Sequence, residues 1–236
     1  FSGTCDKQHG EICVECAAES WVCETHRDGF HGVNCRKKVV AIGKNYEAHA
    51  REMGALHAPK EPVIFIKPTS TYVGEGGSIQ LPPGIGSVHH EVELGIVIGK
   101  TGSDIAETRW RDHVAGYVLT IDLTARDLQA TAKKGGLPWT RAKCYDTFLP
   151  ISDVIPASKV ADPQDLNIWL SVDGVQRQRC NTRDMVHKIP FLISHIRFVF
   201  RLLLASPLSC PFIVTAGIDG LVEVKFPVES RLHSKF

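Results

Sequence analysis

The stretch His89-His90-Glu91-Val92-Glu93 places two carboxylates two residues apart inside an apolar run. On a strand, alternate side chains share a face, so Glu91 and Glu93 project together while Val92, Leu94, Ile96 and Ile98 form the opposite, core-facing row. Two ionised carboxylates held side by side repel, and a shared proton or a bound cation relieves that repulsion. Asp122, closing a second apolar run from Val114 to Ile121, supplies a third carboxylate. Three carboxylates without a nitrogen or sulfur ligand make a hard-oxygen set suited to Mg²⁺ or Mn²⁺, with positions open to water or substrate. Taken alone, Glu-x-Glu is also the ordinary content of a solvent-facing strand.

Two further groups could take part in proton or anion chemistry. His49 and Glu52 are three residues apart in a segment that reads as a short helix, with Asn45 as N-cap and Gly54 as its stop. Such a pair is commonly a surface contact; the functional alternative is a histidine base oriented by a carboxylate. Lys143 follows the turn Leu137-Pro138-Trp139, and its apolar neighbours predict that it points inward at an anion rather than into solvent.

The elements that must position these groups are short strands with few helices. Strands are predicted at Val39–Gly43, Pro62–Lys67, His89–Ile98, Val114–Asp122, Phe148–Ile155, Leu166–Val172 and Leu221–Phe226, with a hairpin turn at Asp173-Gly174. A long loop spans Gly74 to Gly86, and a short surface helix is expected between Thr101 and Asp112. Thr124-x-x-Asp127 resembles a capping box, opening a helix of about ten residues that stops at Gly135-Gly136. Asp184 to Ile196 reads as a helix broken or kinked by Pro190. The pattern predicts an α+β protein, predominantly β, with helical insertions.

At 236 residues the chain suffices for one large domain, or one domain with an appendage. A net charge of +1 gives no electrostatic reason to expect nucleic acid or an anionic membrane as partner. The most apolar segment, Ile189 to Val214, is interrupted by prolines, arginines and a histidine, which argues against a membrane-spanning helix and predicts a soluble chain. Five of the eight cysteines crowd the first 35 residues, so the remainder reads as a reduced, intracellular domain. Residues 1–37 read as a disordered extension; the competing zinc-knuckle reading of Cys13, Cys16, Cys23 and His26 fits no zinc pattern cleanly.

Several motifs in order then carry a specific resemblance: Gly43-Lys44-Asn-Tyr-Glu-Ala-His49, Pro62 to Thr69, His89 to Gly95, Gly116 to Asp127 and Gly136 to Lys143. Together they resemble the fumarylacetoacetate hydrolase family, most closely its small acylpyruvase and oxaloacetate decarboxylase members, across a catalytic domain of residues 38–228. The resemblance implies a mixed β-sandwich roll with a short helical lid, usually a homodimer. It implies Mg²⁺ or Mn²⁺ at Glu91, Glu93 and Asp122, and His49 with Glu52 on the lid activating water. It also implies Lys143 as a catalytic group, and Lys44, Gln129 and Arg126 as contacts to a small 2-oxo acid. The implied chemistry is hydrolytic cleavage of a 3-acylpyruvate to pyruvate and a carboxylate, through the enolate of pyruvate. Oxaloacetate decarboxylation yields the same enolate, and oxaloacetate tautomerisation a related one. Relatives of this kind are often mitochondrial, with the cytosol as alternative.

The chain departs from the family pattern in the segment 197–214. A Thr-Gly-Thr-Pro-x-Gly-Val-Gly loop with its preceding strand is expected there, and a proline-broken apolar stretch stands in its place. That replacement motivates an alternative reading, a catalytically impaired metal-binding isoform acting as scaffold or dimer partner. Lys44 stands where close relatives often carry arginine, which weakens two-pronged recognition of a carboxylate.

Overall fold

The structure is a computed structural model that describes residues 38–46, 57, 59–196, 206–208 and 212–230. His49 and Glu52, the lid helix expected to carry them, and the extension 1–37 lie outside the described residues. The strands are β1 (Val39–Gly43), β2 (Val63–Lys67), β3 (Tyr72–Val73), β4 (Ile79–Leu81), β5 (Val88–His90), β6 (Val92–Ile98), β7 (Val114–Ile121) and β8 (Thr124–Ala125). They continue with β9 (Leu149–Pro150), β10 (Ile155–Pro156), β11 (Asn167–Val172), β12 (Val175–Asn181), β13 (Ser206–Leu208), β14 (Phe212–Ile218) and β15 (Val222–Ser230).

Among the described residues these strands form a five-stranded sheet in the order β12-β11-β14-β15-β4, two three-stranded sheets, β10-β7-β6 and β13-β5-β8, and the pairs β1-β2 and β3-β9. Most pairings are antiparallel; β15 with β4 and β3 with β9 are parallel. The predominantly β architecture expected from the pattern, and the mixed strand pairing implied by the resemblance, are therefore observed. One core joins the sheets: Leu94, Leu119 and Ile121 share it with Ile168, Leu170, Val214, Ala216 and Phe226. No helix among the described residues is long and apolar enough to cross a membrane.

Several local expectations are corrected. The strand predicted through His89–Ile98 breaks at Glu91, and Val92 through Val97 are all buried, so both faces are covered instead of one. The expected capping box is absent: Ala125 is the N-cap of the helix Arg126–Gly135 without a side-chain bond, and the Asp127 carboxylate accepts the Ser87 N–H instead, at 3.0 Å. Gly86 makes room for that contact, since a Cβ there would lie 2.0 Å from Asp127 Oδ2. Pro190 does not kink a long helix; it stands in the first turn of a seven-residue helix, Ile189–His195, where its missing N–H costs nothing. The surface helix expected before Val114 is a 3₁₀ stretch, Glu107–His113, anchored by buried Trp110. Phe148–Ile155 yields only the two-residue β9, with β10 beginning at Ile155. Within 197–214, two pieces take strand positions: β13 pairs with β5 beside His89 and His90, and Phe212–Val214 open β14.

Asn45, read as the cap of a helix that lies outside the described residues, also ties the end of β1 to a distant segment. Its amide Nδ2 donates to the His187 carbonyl at 2.9 Å, its Oδ1 accepts the His187 N–H at 2.7 Å, and its own carbonyl accepts the Val186 N–H at 2.8 Å. The side chain is fully buried. Asn45→Ala leaves the half-buried His187 N–H and C=O without these partners, and the expected cost is about 2 kcal/mol. Urea unfolding monitored by fluorescence checks it.

Candidate active site

The site stands where β6 begins beside the end of β7. Their register pairs Val92 with Ile121 and Glu93 with Thr120, and one step beyond it the Asp122 N–H donates to the Glu91 carbonyl at 2.8 Å. Glu91, Glu93 and Asp122 therefore converge: each is about 1% exposed, and one oxygen of each lies within 4.8 Å of the others. Burying three carboxylates together is tolerated only when cations compensate them.

Three cations do so. The Lys143 ammonium donates to Glu91 Oε2 at 2.8 Å and also to Asp122 Oδ2. It lies 4.9 Å from the centroid of the Phe65 ring, a face that attracts positive charge. Burial works against the charge on Lys143, but Asp122 and Glu91 outweigh it and hold the ammonium above the ordinary lysine value. Lys67, at the end of β2, donates to Asp122 Oδ1 and to the Phe148 carbonyl at 2.8 Å, with Leu123 O at 3.4 Å. Burial pulls Lys67 below the ordinary lysine range, and the adjoining Asp122 opposes that pull. Arg126 Nη2 donates to Glu91 Oε1 at 2.7 Å, and its Nη1 donates to Gln129 Oε1 at 2.6 Å, one helical turn away. Three acids thus face three basic side chains.

Local packing explains why Lys143 points inward. A Cβ on Gly43 would meet the Trp139 ring at 3.2 Å, so the glycine lets the indole lie against β1. Trp139 in turn packs on Phe65 with ring centroids 5.5 Å apart. The short helix Thr140–Lys143 leaves that aromatic wall with Ala142 and Lys143 buried.

A second, more exposed group of cations borders the cluster. Lys44 holds a positive φ of 60°, a conformation that costs a side-chain-bearing residue energy and gathers at functional sites. Lys133, 5.5 Å from the Trp139 ring centroid, is pushed down to about 8 by burial and by the like charges of Lys44 and Arg126. Cations gathered beside a carboxylate cluster suit an anionic ligand. Nearby, burial together with Arg126 pushes His89 down to about 4, so that imidazole is neutral at physiological pH.

The structure thus brings Glu91, Glu93, Asp122, Lys143, Arg126 and Gln129 together, with Lys44 at the rim. Lys67 and Lys133 were not singled out from sequence. The signal for Lys67 was a lysine ending the strand Val-Ile-Phe-Ile, where alternation turns its side chain toward the core.

The family model described as fumarylacetoacetate (FAA) hydrolase C-terminal matches residues 38–204. The chain belongs to the fumarylacetoacetate hydrolase family. Among its relatives, the Arabidopsis thaliana protein named oxaloacetate tautomerase FAHD1, mitochondrial, is 48% identical over 206 residues, covering 83% of this chain and 92% of that protein. The Dictyostelium discoideum protein named oxaloacetate decarboxylase, mitochondrial, is 48% identical over 167 residues, covering 70% of this chain and 76% of that one. The crystal structure of fumarylpyruvate hydrolase from Pseudomonas aeruginosa in complex with Mn²⁺ and pyruvate superimposes with a TM-score of 0.76 at 32% identity, covering 83% of this chain and 90% of that one.

Proposed function

We propose that this chain is a divalent-metal-dependent enzyme of small 2-oxo acids that works through an enolate, that of pyruvate when a carbon–carbon bond breaks and that of oxaloacetate when it tautomerises. Its reactions are hydrolysis of 3-acylpyruvates and decarboxylation or tautomerisation of oxaloacetate. The observation that carries the reading is the convergence of Glu91, Glu93 and Asp122, all buried, with the Lys143 ammonium on Glu91 and Asp122. The donor set is all oxygen and fits Mg²⁺ or Mn²⁺. Glu91, Glu93 and Asp122 would hold the ion, which would supply Lewis-acid polarisation to a 2-oxo acid substrate.

The chain's own groups do the rest. Lys143 presents a fixed positive charge, desolvated and pre-oriented, to the oxygen on which enolate charge develops. Arg126 occupies the Gln129 carbonyl, which leaves the Gln129 amide N–H groups to donate to a substrate oxygen. Lys44 and Lys133 offer charge to the second carboxylate of a dicarboxylate such as oxaloacetate. For hydrolysis, family resemblance assigns water activation to His49 and Glu52. The water oxygen adds to the distal carbonyl, the carbon–carbon bond breaks toward the enolate, and a proton returns to that carbon. Decarboxylation needs no water nucleophile: CO₂ leaves and the same carbon is protonated.

Mitochondrial placement follows the names of the relatives. A homodimer is proposed from the family, supported by an apolar outer face on β2, where Ile64 and Ile66 are 45% and 53% exposed. Residues 38–228 are proposed as the catalytic domain, preceded by the extension.

The test is turnover of acetylpyruvate and oxaloacetate by chelator-stripped protein before and after Mg²⁺ or Mn²⁺ is restored. Metal-restored turnover of either substrate is the expected result. Metal binding without turnover favours the impaired isoform motivated by the segment 197–214, and neither binding nor turnover overturns both readings.

A further inference from the structure

We infer that Gln178 is a positioning residue for the carboxylate centre, setting the backbone from which Glu91 and Glu93 project. The inference rests on the proposed metal-binding role of those carboxylates.

Gln178 lies on β12, a strand whose Val175, Gln176, Arg177 and Arg179 are all exposed, yet it is 8% exposed itself. A bulge produces this exception. Opposite β11, Leu170 pairs with Gln178 and Ser171 with Gln176, so Arg177 is the extra residue. Bulges re-aim side chains, and this one turns the Gln178 amide into the molecule toward a different sheet. There Oε1 accepts the Val92 N–H at 3.2 Å and lies 3.0 Å from His90 Nδ1. Those two residues flank Glu91, the single residue at the break between β5 and β6. One oxygen therefore ties both sides of the residue that bears a carboxylate of the cluster.

The chemistry of the contacts is fixed by the backbone. Val92 N–H can only donate, so the atom facing it is the amide oxygen, and His90 Nδ1 must then carry a proton to donate to that same oxygen. The Glu91 carbonyl is held from the other side by the Asp122 N–H at 2.8 Å. Glu91 is thus clamped between Asp122 and the Gln178 contacts, and Glu93 follows one pleat further along. Without the Gln178 oxygen, the buried Val92 N–H and His90 N–H must seek other acceptors, and the strand break shifts. Groups that orient metal ligands typically change metal affinity by 10- to 100-fold when removed. A residue that acts through backbone belongs at the lower end of that range.

The experiment compares the full-length wild type with Gln178→Met, which fills similar space but offers no oxygen. Mn²⁺ affinity is measured by calorimetry well below the unfolding temperature, and the Tm of the metal-free proteins is measured alongside. Expected is a Kd about 10-fold weaker in Gln178→Met. A role confined to stability lowers Tm and leaves the Kd of the folded protein unchanged, so an unchanged Kd overturns the inference whatever happens to Tm. If Gln178→Met does not fold, Gln178→Asn, which withdraws the amide by one methylene, is read the same way. A wild type that binds no Mn²⁺ overturns the metal reading and the inference with it; a wild type that binds while the variant matches it overturns the inference alone.

Discussion

Asp122→Asn is expected to abolish divalent-metal binding and lower turnover of oxaloacetate by about three orders of magnitude. The substitution keeps the shape of the side chain and removes its charge. Metal-supplied charge stabilisation is worth several kcal/mol, and about 1.4 kcal/mol corresponds to each tenfold in rate. Asp122 is also the group both buried lysines share, Lys67 on Oδ1 and Lys143 on Oδ2. An asparagine there turns an N–H group toward one of those ammoniums, so the variant carries excess buried positive charge. A stability loss of about 3 kcal/mol accompanies the loss of metal, as for breaking a buried ion pair by removing one partner. Calorimetric Mn²⁺ titration with an oxaloacetate assay on the same preparation checks the first effect, and urea unfolding the second.

Lys143→Met is expected to separate metal binding from catalysis. The ammonium donates to Glu91 and Asp122, two of the three proposed ligands, so it competes with a metal for the same oxygens. Removing it leaves two anions with less compensation, and Mn²⁺ affinity is expected to equal or exceed that of the wild type. Catalysis moves the other way, because losing one pre-oriented donor to a developing oxyanion costs roughly 10²- to 10³-fold in kcat. Tighter metal with slower turnover is the expected outcome. Weaker metal binding would instead make Lys143 a structural partner of the carboxylates.

The parts of this site carried by periodicity were legible in the sequence. Glu91 and Glu93 share a direction because a single residue separates them, and Asp122 joins them because it directly follows β7, the strand that pairs with β6. Lys143 was legible from its apolar setting. What periodicity could not show is which chain segments meet across the core. Lys67 contacts residues 55 and 81 positions away, and Gln178 reaches residues 86 and 88 positions away through a bulge that no local pattern signals. Polar side chains also had alternatives that only the tertiary structure resolves: Asp127 carries the residue type of a capping box, yet its carboxylate accepts the N–H of distant Ser87. Burial on both sides of β6 likewise depends on the five-stranded sheet that covers it, built mostly from β11, β12, β14 and β15, far downstream in the chain.

The most direct measurement is the electron paramagnetic resonance of free Mn²⁺ titrated with wild-type protein and with Glu93→Gln. One Mn²⁺ bound per wild-type chain, and essentially none by Glu93→Gln, is the result expected if the three carboxylates hold the metal. Equal binding by the two proteins would contradict it.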